Sequence, residues 1–143
     1  MLRHWQASVA RAQWAQLLNG VEHGDWQVIR RFNERVVAVR AQDMTDLLSL
    51  CCPFSPEVLF EDDGVAIWLP ELEIYGRGAS LEAAATDLLE AAREYAEEWD
   101  ATLKDAPNHR AREWHVRRIQ LAADDAALCT TLLGADAPSL CPA

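Results

Sequence analysis

Apolar and polar positions alternate along the chain in blocks of different period, and the blocks predict its elements. Over residues 8–23 the apolar side chains Ala10, Trp14, Leu17, Leu18 and Val21 fall on one helical face. Ser8 is placed to cap that helix, and Gly24 to end it in the left-handed conformation. From residue 26 the chemistry becomes that of short strands, 26–29 and 36–39, with Phe32-Asn33-Glu34 as the expected turn. Asp43 is placed to cap a second short helix carrying Met44, Leu47, Leu48 and Cys51. Pro53 and Pro56 then flank a break.

Beyond the break, strands over 58–60 and 65–69 enclose an Asp62-Asp63-Gly64 turn, and Pro70 stops the second. A weaker strand is expected over 73–77, with Gly76 and Gly78 loosening it. Ser80 caps the longest helix, whose stripe runs Leu81, Ala84, Ala85, Leu88, Leu89, Ala92, Tyr95, Ala96 and Trp99. Such a stripe must cover something, and the preceding sheet is the nearest candidate. Residues 110–122 fit neither period and read as a helix or, over 114–121, a strand. Asp124 or Asp125 caps a last helix with Leu128, Leu132 and Leu133, ended by Gly134, and a loose tail is expected from residue 135.

Composition sharpens this into two halves. The 143 residues are half hydrophobic, enough to bury a core in one domain or in two small subdomains sharing one. The elements group as blocks 1–52 and 57–102 and a partly helical segment 103–143. Net charge is −10, but residues 1–50 carry six arginines against five acids, and the remainder seven bases against eighteen acids. An acidic body excludes broad nonspecific affinity for nucleic acid and leaves room for a local basic patch early in the chain. No apolar run is long enough to span a bilayer and no leader is recognised, so a cytoplasmic protein is expected. Cys51, Cys52, Cys129 and Cys141 match neither a disulfide framework nor a zinc spacing and are expected to be reduced thiols. Most of the six tryptophans are expected in the core.

Enzymatic chemistry finds little support. His4, His23, His109 and His115 lack metal-site spacings, and Glu61, Asp62 and Asp63 precede a glycine where turn chemistry wants them. Gly76-Arg77-Gly78 lacks the rest of either nucleotide fingerprint. No enzyme, cofactor or metal is expected.

The order Ala10-Arg11-Ala12, Leu17-Leu18, Val21-Glu22-His23-Gly24-Asp25, Val28-Ile29-Arg30-Arg31 and Val36-Val37-Ala38-Val39 resembles the N-terminal domain of Phd/YefM antitoxins. Asn33 or a neighbour replaces that family's turn glycine, tolerably because Asn accepts positive φ, and Arg35 replaces its proline. The resemblance implies an added edge strand over 2–6, a homodimer, and operator DNA held by Arg11 and, by position and charge, Arg30 and Arg31. The later run Phe60-Glu61-Asp62-Asp63-Gly64, Leu69-Pro70-Glu71-Leu72 and Gly78-Ala79-Ser80-Leu81-Glu82-Ala83-Ala84 is similar to HicB antitoxins. Together these imply an α+β fold: a Phd/YefM-like helix plus β-hairpin, then a small antiparallel sheet packed under a long HicB-like helix. They imply an antitoxin of a type II toxin–antitoxin system that binds a cognate toxin and represses its own operon. Glu90, Glu94 and Glu97, on the acidic face of the long helix, are the candidate partner-binding residues. The competing expectation is a dimeric interaction module without DNA binding.

Overall fold

The computed structural model describes residues 1–141, and the fold is α+β. The chain divides into two compact units, Met1–Leu47 and the residues from Leu48 onward.

In the first unit, β1 (Leu2–Gln6) runs parallel to β2 (Trp26–Arg31), which pairs antiparallel with β3 (Glu34–Ala38). Parallel neighbours need a crossover, and α1 (Ala7–Ala12) and α2 (Trp14–Glu22) supply it. The expected single helix is therefore two, broken at Gln13, whose φ of −118° and ψ of 38° leave the helical region. Ser8 does not cap. It lies inside α1, which starts one residue earlier with Gln6 at its N-cap and no side-chain bond there. Gly24 does take the left-handed conformation, at φ +87°. The β2–β3 turn is the pair Phe32-Asn33, and Phe32, not Asn33, holds the positive φ, at +53°. For a side chain with a Cβ that conformation costs about 1–2 kcal/mol. Ala10, Leu17 and Val28 are buried, as is Gln27, whose amide oxygen accepts from the Trp5 indole at 2.6 Å and whose nitrogen donates to the Asp25 carbonyl. α3 (Ala41–Cys51) carries the chain out of this unit. Asp43 sits within its first turn, bonded to the Arg40 guanidinium at 2.7 Å, and is not its cap.

In the second unit β4 (Glu57–Glu61), β5 (Gly64–Leu69) and β6 (Ile74–Gly78) form an antiparallel meander, with Asp62-Asp63 as the first turn. α4 (Leu81–Ala101) lies on β6 and β5, and the stripe from Ala84 to Trp99 is buried as its spacing predicts. The Ser80 hydroxyl accepts from the Ala83 amide at 3.2 Å, so this cap stands as expected. Gly76 and Gly78 act differently from the expectation. A Cβ at Gly76 would run into the Ala84 carbonyl and Leu88, and one at Gly78 into Ala83 and Ala84. They do not loosen the strand; they let the helix come down on it.

The undecided stretch 110–122 is helical: α5 (Pro107–Arg110) leads into α6 (Glu113–Leu121). Arg112 fastens it, donating to the Leu72 carbonyl and the Tyr95 hydroxyl, each at 3.1 Å, and pairing with Glu73. Burial pulls its guanidinium pKa down, but the bonds to Tyr95 and Glu73 outweigh that and leave it raised. α7 (Asp125–Leu133) is capped by Asp124, which accepts from the Ala127 amide at 2.8 Å, and Gly134 follows at φ +92°. Cys129 and Cys141 form a disulfide with Cα atoms 5.6 Å apart, which corrects the reduced-thiol expectation for this pair and the loose-tail expectation as far as Cys141, residues 142–143 lying outside the described ones. Cys51 and Cys52 are free. The tryptophan expectation also fails: Trp99 is buried, whereas Trp14, Trp26 and Trp114 are about half exposed. Among the described residues no helix is long and apolar enough to cross a membrane.

Candidate functional site

Register decides which charges of the first unit meet. His4 pairs with Val28 and Gln6 with Arg30 in the parallel ladder, and Val28 with Val37 and Arg30 with Arg35 in the antiparallel one. Paired residues share a face, so His4, Gln6, Val28, Arg30 and Arg35 lie together. With Asn33 they line a shallow basin of about 520 Å³. Two guanidinium groups directly opposite one another repel. No carboxylate among the described residues pairs with either. The Arg30 Nε donates only to the Phe32 carbonyl, at 3.5 Å.

The acids of this unit are partly committed elsewhere. Asp25 holds the Met1 amine at 2.9 Å and Arg3 at 3.8 Å, and Asp43 holds Arg40. Hydrogen bonds from the amine and from Arg40 keep the two carboxyls below the ordinary value of 3.8. Arg11, Arg30, Arg31 and Arg35 are left without an ion pair among the described residues. The near-neutral sum thus understates the local basicity.

The three expected DNA-contacting arginines are not one cluster. Arg30 is in the basin. Arg31, the next residue, faces the other side of the sheet, where Glu34 is its cross-strand neighbour, and its guanidinium lies 5.7 Å from the Phe32 ring. Arg11 is exposed in the last turn of α1 and does not line the basin. Sequence reasoning missed His4 and Arg35. Arg35 had a signal available: a two-residue turn at 32–33 places 30 opposite 35.

In the second unit, Glu90, Glu94 and Glu97 come together as expected from their spacing on one helix face. They line a groove of about 410 Å³ with Leu89 and Arg93. Arg93, a base on this acidic face, is ion-paired to Asp125 of α7. Its charge is thereby offset, and the groove keeps three glutamates. Among the described residues no cluster of His, Cys, Asp or Glu could hold a metal ion.

The chain is similar to known proteins in sequence profile and in fold. The sequence profile of the PHD_like family, described as the antitoxin of a toxin–antitoxin, RelE/RelB, TA system, matches residues 1–133. A crystal structure from Syntrophomonas wolfei subsp. wolfei, of the antitoxin part of a candidate toxin/antitoxin system, shares the fold with a TM-score of 0.75. The two are 17% identical over 90% of this chain and 95% of that one. No curated protein matches the sequence.

Proposed function

The chain belongs to the PHD_like family of RelE/RelB toxin–antitoxin antitoxins, regulatory proteins and not enzymes, and from that premise we propose how its two units divide the work. The second unit docks the cognate toxin, with Glu90, Glu94 and Glu97 meeting basic side chains of that partner. The first unit forms a symmetric homodimer in the cytoplasm and holds operator DNA, so that the antitoxin represses its own operon.

The observation that carries this reading is the segregation of charge. The acids concentrate in the second unit, where three glutamates and the Arg93-paired Asp125 share one groove, while the first presents four arginines without an ion pair among the described residues. A twofold dimer doubles each basic patch, which is what a palindromic operator requires. The edge strand and the hairpin of the first unit are in keeping with the Phd/YefM resemblance, although the single helix that it implies is divided into α1 and α2. The small sheet under a long helix agrees with the HicB likeness of the second.

Within the DNA claim, Arg30 and Arg35 contribute one phosphate-facing basin, and Arg11, outside that basin on α1, a separate contact. Replacing Arg30 or Arg35 by Ala lowers operator affinity and reduces the salt slope by about one for each phosphate no longer neutralised. Fluorescence anisotropy with the chain's own upstream DNA reads this out. Unchanged affinity and slope in R11A, R30A and R35A would leave a dimeric interaction module without DNA binding. For the toxin claim, co-expression with the adjacent reading frames and the mass of the purified product decide: a stable complex with a small basic protein supports it, and a bare homodimer sinks it.

A further inference from the structure

β4 is an edge strand. β5 pairs with one side of it, and no strand among the described residues pairs with the other. The two-residue turn makes Glu61 and Gly64 a hydrogen-bonded pair. By alternation Glu57, Leu59 and Glu61 bond to β5, and the N–H and C=O groups of Val58 and Phe60 point outward.

The side chains are uncovered as well: Val58, Leu59 and Phe60 are 43%, 41% and 80% exposed. Val58 and Phe60 pair with Ile67 and Val65, on the face of the sheet that α4 covers at β5 and β6, yet they remain outside that cover. Soluble proteins blunt such an edge with Lys, Pro or a bulge. This one carries glutamate at both ends.

Those glutamates select the partner. If a second copy paired antiparallel about Leu59, each Glu57 would face the other copy's Glu61, giving two like-charge contacts beside Asp62 and Asp63. Self-pairing is disfavoured, and a strand with basic residues at the same two places is favoured.

We infer that β4 is the pairing edge for a strand of a basic partner protein, three apolar residues bracketed by Lys or Arg. The bracketing bases lie opposite Glu57 and Glu61, and the apolar centre covers Val58, Leu59 and Phe60. The binding mode is addition of a strand to a sheet, in which main-chain bonds give affinity and side chains give choice. This inference rests on the reading that the second unit docks a toxin. It adds where the backbone of that toxin is held.

The test is hydrogen exchange on the full chain, alone and in the complex purified by co-expression with the basic protein encoded beside it. Expected is slowing of the Val58 and Phe60 amides by tenfold or more on complex formation, a factor on the order of that for capture of an open amide in a ladder. A complex in which residues 57–61 exchange at the free rate overturns the inference and leaves the toxin-docking function standing. Protection of these amides in the chain alone, growing with concentration, overturns it in favour of a second copy. Failure to form any complex overturns the function itself, and the inference with it.

Two variants check the chemistry after a thermal melt confirms that they fold. E57K/E61K turns two attractions into two repulsions and weakens the complex on the order of ten- to a hundredfold. Val58→Pro removes an outward N–H that an edge strand does not need for itself and also weakens the complex. Unchanged affinity in both overturns the inference.

Discussion

The two units bury their apolar side chains very differently. In the second, Ile67, Leu69, Leu72, Val116, Leu128 and Leu132 join the stripe of α4 in one continuous core. In the first, Ala10, Leu17 and Val28 are buried, while Trp14, Trp26, Val36 and Val37 stay roughly half exposed. A body of that size with so little interior falls short of what a small domain needs to stand alone. The difference teaches that the second unit is stable through its own packing. The first is a surface in search of a matching surface, as the proposed homodimer requires.

Four experiments break or sharpen that contrast. The largest effect is expected inside the second unit, where Leu88→Ala removes a fully buried side chain and lowers unfolding free energy by about 2–5 kcal/mol in urea titrations. Next comes the Cys129–Cys141 link, twelve residues apart in sequence. Replacing Cys129 with Ser, or adding reductant, lowers the second unit's stability by up to about 3 kcal/mol, and a first-unit transition is unmoved. Dilution acts the other way round: each tenfold dilution removes about 1.4 kcal/mol from a dimer-stabilised first unit and nothing from the second. A first-unit melt independent of concentration would end the contrast as drawn.

The smallest effect is acidic. Asp25 and Asp43 have folded-state pKa values depressed below 3.8, by hydrogen bonds from the Met1 amine and from Arg40. Their contribution is therefore present above that value and lost as pH falls through the lowered folded ones. Asp43→Asn flattens the acid limb of the first unit's stability curve below about pH 4.

What the sequence made legible was local. Ser80 and Asp124 cap their helices, Asp62-Asp63 turns the chain ahead of Gly64, and the spacing from Leu81 to Trp99 marks a buried face, because each depends on neighbours within a turn or two. What it hid depends on register or on distant partners. Arg30 meets Arg35 and parts from Arg31 only once β2 is paired. Cys129 reaches Cys141 only once the chain after α7 folds back. The run Val58-Leu59-Phe60 has the composition of a buried strand and lies exposed at an edge. Trp14 has helical spacing with Leu17 and Leu18, yet the break at Gln13 leaves it half outside. Glu90, Glu94 and Glu97 were legible as one face of a helix. The groove they line was not, because it also takes Asp125 from another element.

Gly76 and Gly78 set a boundary on how this sequence can drift. Every single-nucleotide change of a glycine codon that alters the amino acid adds side-chain atoms, and at these two places any such atom meets the α4 backbone. Tyr75 and Arg77, between and beside them, point away from the helix and are exposed. Descendants of this chain can therefore exchange the outward residues freely while the Gly-x-Gly spacing stays as an imprint of helix-to-sheet distance. Two relatives sharing little else could still be aligned on that imprint.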